Sequence, residues 1–168
     1  MNYNRQGAVN YALTYALTPN SNYVYFNEND CTNFISQCLK AGGAENDYNK
    51  SHPWWYSNGK ASICWAVAHS LFWYIRECTE KNKFGIKANT YYLENNNAYH
   101  EKIAGKIQLG DIIQYKNFQD RIQHSTIITA FDPFTKEPLV CQHTFEAKNI
   151  LWRKNFKQVI FHHIKEIN

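Results

Sequence analysis

Asn29-Asp30-Cys31-Thr32-Asn33-Phe34-Ile35-Ser36-Gln37-Cys38-Leu39, followed by Ala41-Gly42-Gly43, is the stretch from which the rest of the chain is read. Phe34, Ile35, Cys38 and Leu39 recur at helical spacing, and the two glycines supply the backbone freedom found just past a helix end. The spacing predicts a helix of about three turns, with Asp30 as its N-cap and Cys31 in its first turn. Backbone N–H groups and the positive end of the helix dipole converge on such a position, so a thiolate forms there readily and Cys31 reads as a nucleophile. The competing reading is a buried packing cysteine, the commoner fate of this residue type.

Upstream, Ala8, Tyr11, Ala12, Tyr15 and Ala16 share one face of a first helix that Thr18-Pro19-Asn20 ends. Residues 20–29 read as an Asn- and Tyr-rich loop, and residues 45–59 as a second loop carrying Trp54, Trp55 and Tyr56. Cys64, Val67, Ala68, Leu71, Tyr74, Ile75 and Cys78 recur at i, i+3, i+4, i+7 and predict one long helix whose two cysteines face the core. Residues 81–105 are polar and weakly periodic, with one short strand at Thr90-Tyr91-Tyr92. Strands follow at 110–115, 124–130, 138–143 and 158–164. Helices first and antiparallel strands last define an α+β fold.

The nucleophile helix, the Trp54-Trp55-Tyr56 triplet, Gly110-Asp111-Ile112-Ile113-Gln114-Tyr115 and His124-Ser125 together resemble the putative amidase domain family over residues 4–143. That family is similar to the papain-like NlpC/P60 and CHAP superfamily of cell-wall cysteine hydrolases. The resemblance implies a papain-like (NlpC/P60-type) fold, with N-terminal helices packed on a C-terminal antiparallel sheet. It also implies cleavage of an amide bond in bacterial peptidoglycan, by an N-acetylmuramoyl-L-alanine amidase or a stem-peptide endopeptidase.

Thiol-dependent amide hydrolysis needs a thiolate, a base, a group that orients the base, and donors for the tetrahedral oxyanion. Cys31 fills the first role. His124 fills the second, because it opens a strand in the matched motif; His69 lies within the long helix, and His52 and His100 lie in loops. The orienter follows from hairpin geometry: a strand leaving His124, turning through Asp132-Pro133 and returning at 139–143 puts 124 beside 143 on one face. The expected third residue is therefore His143, which the Cys, His, His pattern of the resembled superfamily favours; a slip of one residue substitutes Gln142 or Thr144. Tyr25 and Asn29 are oxyanion candidates, both equally readable as loop or capping residues. Trp54, Trp55 and Tyr56 read either as a cleft wall that stacks on substrate or as packing.

One globular domain spanning 1–168 accounts for the length and the 44% apolar composition. The charge of +4 has no long basic run, so nucleic acid is not indicated, while an anionic wall would attract the chain. Five cysteines without Cys-x-x-Cys spacing support neither a zinc site nor a disulfide framework. His162 and His163, adjacent on a strand, point to opposite faces and cannot share an ion. No metal and no cofactor is expected, and the oligomeric state is open.

Met1–Arg5 lacks a basic segment followed by an apolar one, and no stretch is long enough to span a bilayer, so neither an export signal nor a membrane partner is expected. Arrival at the wall would then be as a phage-type lysin, an effector of a specialised export route, or a fragment of a secreted protein. Rival functions are a papain-like deamidase or acyltransferase on protein or peptide substrates, set apart by water access to the acyl intermediate, and a non-catalytic cell-wall-binding domain. Binding alone requires neither Cys31 nor His124.

Overall fold

Asn4 starts the first helix, α1 (Arg5–Tyr15), by accepting a hydrogen bond from Gly7 N at 2.9 Å in a computed structural model that describes all 168 residues. A 3₁₀ turn at Asn27–Asn29 leads into α2 (Cys31–Ala41), with Asp30 at the cap position. The helix stops where Gly43 takes φ +105° and Ala44 N bonds back to Leu39 O at 3.1 Å. A small hairpin, β1 (Tyr56–Ser57) and β2 (Lys60–Ala61), precedes two helices, α3 (Ile63–Ala66) and α4 (Ala68–Glu80).

The continuous helix expected from Cys64 to Cys78 is thus broken at Val67, which is extended at φ −119°, ψ 125°. Two carbonyls near the break serve side chains of other elements: Ser36 Oγ donates to Trp65 O at 2.8 Å, and Gln114 Nε2 donates to Ala68 O at 2.9 Å. Side-chain periodicity is the same on either side of the break, so the pattern of apolar residues does not reveal it.

Strand β3 (Lys87–Leu93) and a short α5 (Tyr99–Lys102) occupy the region read as loop. After them come β4 (Ile112–Lys116), β5 (Ile122–Phe131), β6 (Pro138–Gln142), β7 (Ala147–Leu151) and β8 (Gln158–Glu166). Six strands form one antiparallel sheet in the order β3-β8-β4-β5-β6-β7. The fold is α+β, with N-terminal helices and a C-terminal sheet. No helix is long and apolar enough to cross a membrane.

Alternation along the central strands explains why both faces of the sheet are covered. Ile112, Ile127, Cys141 and Ile164 turn to the helices and pack with Phe34, Ile35, Leu39, Trp54, Trp65 and Tyr74. Ile113, Ile128, Val140 and Phe161, at positions of opposite parity on the same strands, turn the other way onto Tyr99, Ile103 and Trp152. Asp111 ties the helical layer to the sheet. Its buried carboxylate accepts from Arg5 Nη1 at 2.6 Å, His163 Nδ1 at 2.9 Å, Ile164 N at 3.0 Å and Gln108 N at 2.7 Å.

Trp54 is wholly buried, with its indole N–H on Ser36 Oγ at 3.0 Å, so it belongs to the core and not to a cleft wall. Trp54→Ala should therefore destabilise the fold by about 3–5 kcal/mol, read as a lower urea midpoint at unchanged slope. A loss under about 1 kcal/mol would return Trp54 to the surface role.

Candidate functional site

Cys31 and His124 line the same cavity, of about 320 Å³, together with Gln142, Asn29, Glu28, Gln123, Thr144, Phe145, Lys154 and Phe156. Cys31 is 8% exposed. The helix start brings it there from one side. Its sulfur lies 3.9 Å from the carbonyl oxygen of Gln123, the residue before the histidine, and 3.6 Å from Thr32 Oγ1. The other four cysteines are 0–1% exposed. They pack in the helix-side core, and burial pushes the thiols of Cys38, Cys64 and Cys78 upward.

The partner of His124 is Gln142, not His143: His124 Nε2 and Gln142 Oε1 are 3.0 Å apart. The orientation of this amide is set by its nitrogen, which donates to Phe145 O at 2.9 Å and to Thr144 O at 3.5 Å. Only the oxygen can then face the imidazole, so Nε2 carries the proton and Nδ1 is the basic nitrogen of the neutral ring. Burial pushes His124 down to about 4; the Gln142 hydrogen bond opposes this, and Lys154 adds to it.

The expected 124–143 pairing fails because β5 carries a bulge. Near the turn Ala130 lies opposite Leu139, and a regular continuation would put odd-numbered β6 residues, His143 included, on the face of His124. The register shifts between Ile128 and Ala130, and from there Ile128 lies opposite Val140 and Ile127 opposite Cys141. The parity changes, and Gln142 takes the place assigned to His143. Thr129, at the bulge, donates to Asn149 Oδ1 on β7 at 2.7 Å.

His143 instead lies on the helix side, 1% exposed, stacked on Phe34 at 4.0 Å between ring centroids. Its Nδ1 is 2.5 Å from Asp30 Oδ2 and its Nε2 is 2.7 Å from Tyr15 O. Tyr15 O can only accept, so His143 Nε2 donates to it, and His143 Nδ1 and the Asp30 carboxyl share one buried hydrogen bond. Asp30 does not cap its own helix; its other oxygen accepts from Phe26 N and Asn33 Nδ2 at 2.9 and 2.8 Å.

Of the oxyanion candidates, Asn29 lines the cavity, whereas the Tyr25 hydroxyl donates to Glu146. Trp55 stacks on Tyr48, and the Tyr56 hydroxyl accepts from Val24 N at 2.8 Å; neither lines this cavity. Lys154, Phe145 and Phe156 do line it, and sequence reading missed them. They lie on the turn after β6 and on the β7–β8 connection, where no periodicity marks them. Phe145 is 87% exposed and Thr144 and Phe145 both take left-handed backbone, φ +57° and +60°. Their carbonyls are the two that orient Gln142.

An α+β domain in which a helix-start cysteine and an amide-oriented strand histidine share one cavity is the class that fold and site define. The chain belongs to the putative amidase domain family, whose model matches residues 2–164. It is similar to the uncharacterized protein YhbB of Bacillus subtilis (strain 168), at 36% identity over 153 residues, 89% of this chain and 44% of that protein. It is also similar to the uncharacterized protein YjcM of the same organism, at 55% identity over 40 residues, 24% of this chain and 10% of that protein. The chain thus spans less than half the length of these relatives. No solved structure matches.

His124 and His162 give the fold an acid limb. Burial lowers His124 to about 4 and His162 to about 3, both below the unfolded value of about 6.5. As pH falls below about 6.5 the unfolded chain takes up protons that the folded chain refuses, so stability present above that pH is lost progressively toward 4 and 3. Melting temperature should fall as pH drops from about 6.5 to about 4.5, before the carboxylates titrate. A level profile across that window would contradict the neutral assignment of both rings.

Proposed function

We propose that this chain is a cysteine-dependent amide hydrolase of papain-like (NlpC/P60-type) architecture acting on bacterial peptidoglycan. The observation that carries the reading is the Gln142 amide, fixed by two carbonyls so that His124 keeps a basic Nδ1 in the cavity that Cys31 lines. Cys31 Sγ attacks the substrate carbonyl carbon as its proton passes to His124. The tetrahedral oxyanion is met by the Cys31 backbone N–H at the start of α2, with Asn29 alongside. The carbon–nitrogen bond breaks as His124 gives the proton to the leaving amine, and a thioester remains. Water, deprotonated by His124, resolves it to a carboxylic acid and the free thiol.

Membership of the amidase family supports hydrolysis of an amide, and the sequence resemblance supports the wall as its source. Lys154 makes no ion pair within the chain and offers its ammonium to the carboxylates of a stem peptide. The bond is that of an N-acetylmuramoyl-L-alanine amidase or a stem-peptide endopeptidase. Either releases a new amino terminus and leaves the sugar chain intact.

Purified walls incubated with the protein should gain free amino groups and no reducing ends; a rise in reducing ends would mean glycosidic cleavage and overturn the reading. Cys31→Ala and His124→Ala should slow release by about 10³-fold or more, and Gln142→Ala by about 10²-fold, with little change in melting temperature. His143→Ala should do the reverse. It leaves Asp30 buried and unpaired, a loss of about 3–5 kcal/mol in stability, while the folded fraction keeps its rate. Wild-type stability in His143→Ala with a crippled rate would restore His143 as the orienter.

A further inference from the structure

Behind Cys31 runs a line of polar side chains that the hydrolytic cycle does not use. Thr32, Gln114 and Ser125 are wholly buried, and His162 is 1% exposed. Gln114 Nε2 donates to Ala68 O at 2.9 Å and to Ser125 Oγ at 3.0 Å. Ala68 O can only accept, so the amide cannot be turned around, and Gln114 Oε1 faces His162 Nε2 at 2.9 Å. His162 therefore carries its proton on Nε2, and its Nδ1 accepts from the Thr90 hydroxyl at 2.9 Å.

The direction then propagates forward. Ser125 receives a proton from Gln114, and the acceptor within its reach is Thr32 Oγ1 at 3.0 Å. Thr32 receives that proton in turn, and the acceptor left for its own is Cys31 Sγ at 3.6 Å. The thiol proton points away, toward Gln123 O. With Gln114 fixed by Ala68 O, giving each buried hydroxyl both a donor behind it and an acceptor ahead of it runs the line toward Cys31 and ends it on sulfur.

We propose that Thr90, His162, Gln114, Ser125 and Thr32 form a one-way chain of hydrogen bonds whose last donor, the Thr32 hydroxyl, holds the Cys31 sulfur and favours its thiolate. The proposal rests on the reading of Cys31 as nucleophile. A donor aimed at an anion is worth more than one aimed at a neutral acceptor, so its effect falls on the ionised form of the thiol. Thr32 and the residues behind it are positioning residues: they act through Cys31 and meet no substrate.

The test is the rate of iodoacetamide alkylation of Cys31 as a function of pH, mapped by mass spectrometry, in the wild type, Thr32→Val, Thr32→Ser and Ser125→Ala. Thr32→Val should slow alkylation at pH 7 by about tenfold and converge with the wild type near pH 10, where the thiol ionises without help. Thr32→Ser, which keeps the hydroxyl, should follow the wild type. Ser125→Ala should slow alkylation at pH 7 by about threefold, because Thr32 loses the bond that orients it. A purely structural role would lower the melting temperature and leave the pH profile in place. Wild-type profiles in folded Thr32→Val and Ser125→Ala overturn the proposal, and Ser125→Ala decides alone if Thr32→Val does not fold. Failure of the nucleophile reading shows separately, as release from walls that survives Cys31→Ser.

Discussion

A carboxylate buried at the start of α2 is the constraint around which the site is arranged. Asp30 cannot sit in the interior without partners, so three parts of the chain converge to satisfy it: the Phe26 amide, the Asn33 side chain and the His143 ring. His143 passes the constraint on, since its second nitrogen holds the last carbonyl of α1 at Tyr15. The start of α2, the end of α1 and the end of β6 are thereby locked together. Cys31 follows Asp30 at the start of α2 and Gln142 precedes His143 at the end of β6, so the two site residues flank that lock.

Two histidines and two carbonyl-oriented amides divide the labour. Gln142, oriented by Thr144 and Phe145, fixes the tautomer of His124 in front of Cys31, and Gln114, oriented by Ala68, fixes that of His162 behind it. Each amide works because a backbone carbonyl on one side leaves it a single orientation. The left-handed backbone at Thr144 and Phe145 is what turns those carbonyls inward, a strained conformation held by hydrogen bonds of Thr144 Oγ1 to Asp30 N and Glu28 O.

Much of the fold was legible because apolar periodicity reports burial directly. Phe34, Ile35, Cys38 and Leu39 marked α2, and Ile112, Ile127 and Ile164 marked strands whose neighbours alternate between the two covered faces. Strand β7, Ala147–Leu151, is mostly exposed and carries no such signal; β3 was seen only in its middle, at Thr90–Tyr92. Of the candidate site, Cys31 was legible from a helix start and His124 from a β-branched run, although β5 begins at Ile122 and not at the histidine. The third position was not, because a single extra residue at Thr129 reverses which face Gln142 and His143 occupy, and a bulge leaves no mark in a β-branched run. The Trp54-Trp55-Tyr56 triplet was ambiguous for a related reason: aromatic composition says nothing about which ring is inside.

The central claim is that acyl transfer to Cys31 sulfur precedes hydrolysis, and intact-mass spectrometry of an acid-quenched reaction on wall-derived peptides tests it most directly. A thioester is stable at low pH, so the account predicts a protein species heavier by the acyl fragment, with the adduct on the peptide that contains Cys31 and absent from Cys31→Ala. Release of amino groups with no such species under single-turnover conditions, or an adduct that maps to another residue, would contradict it.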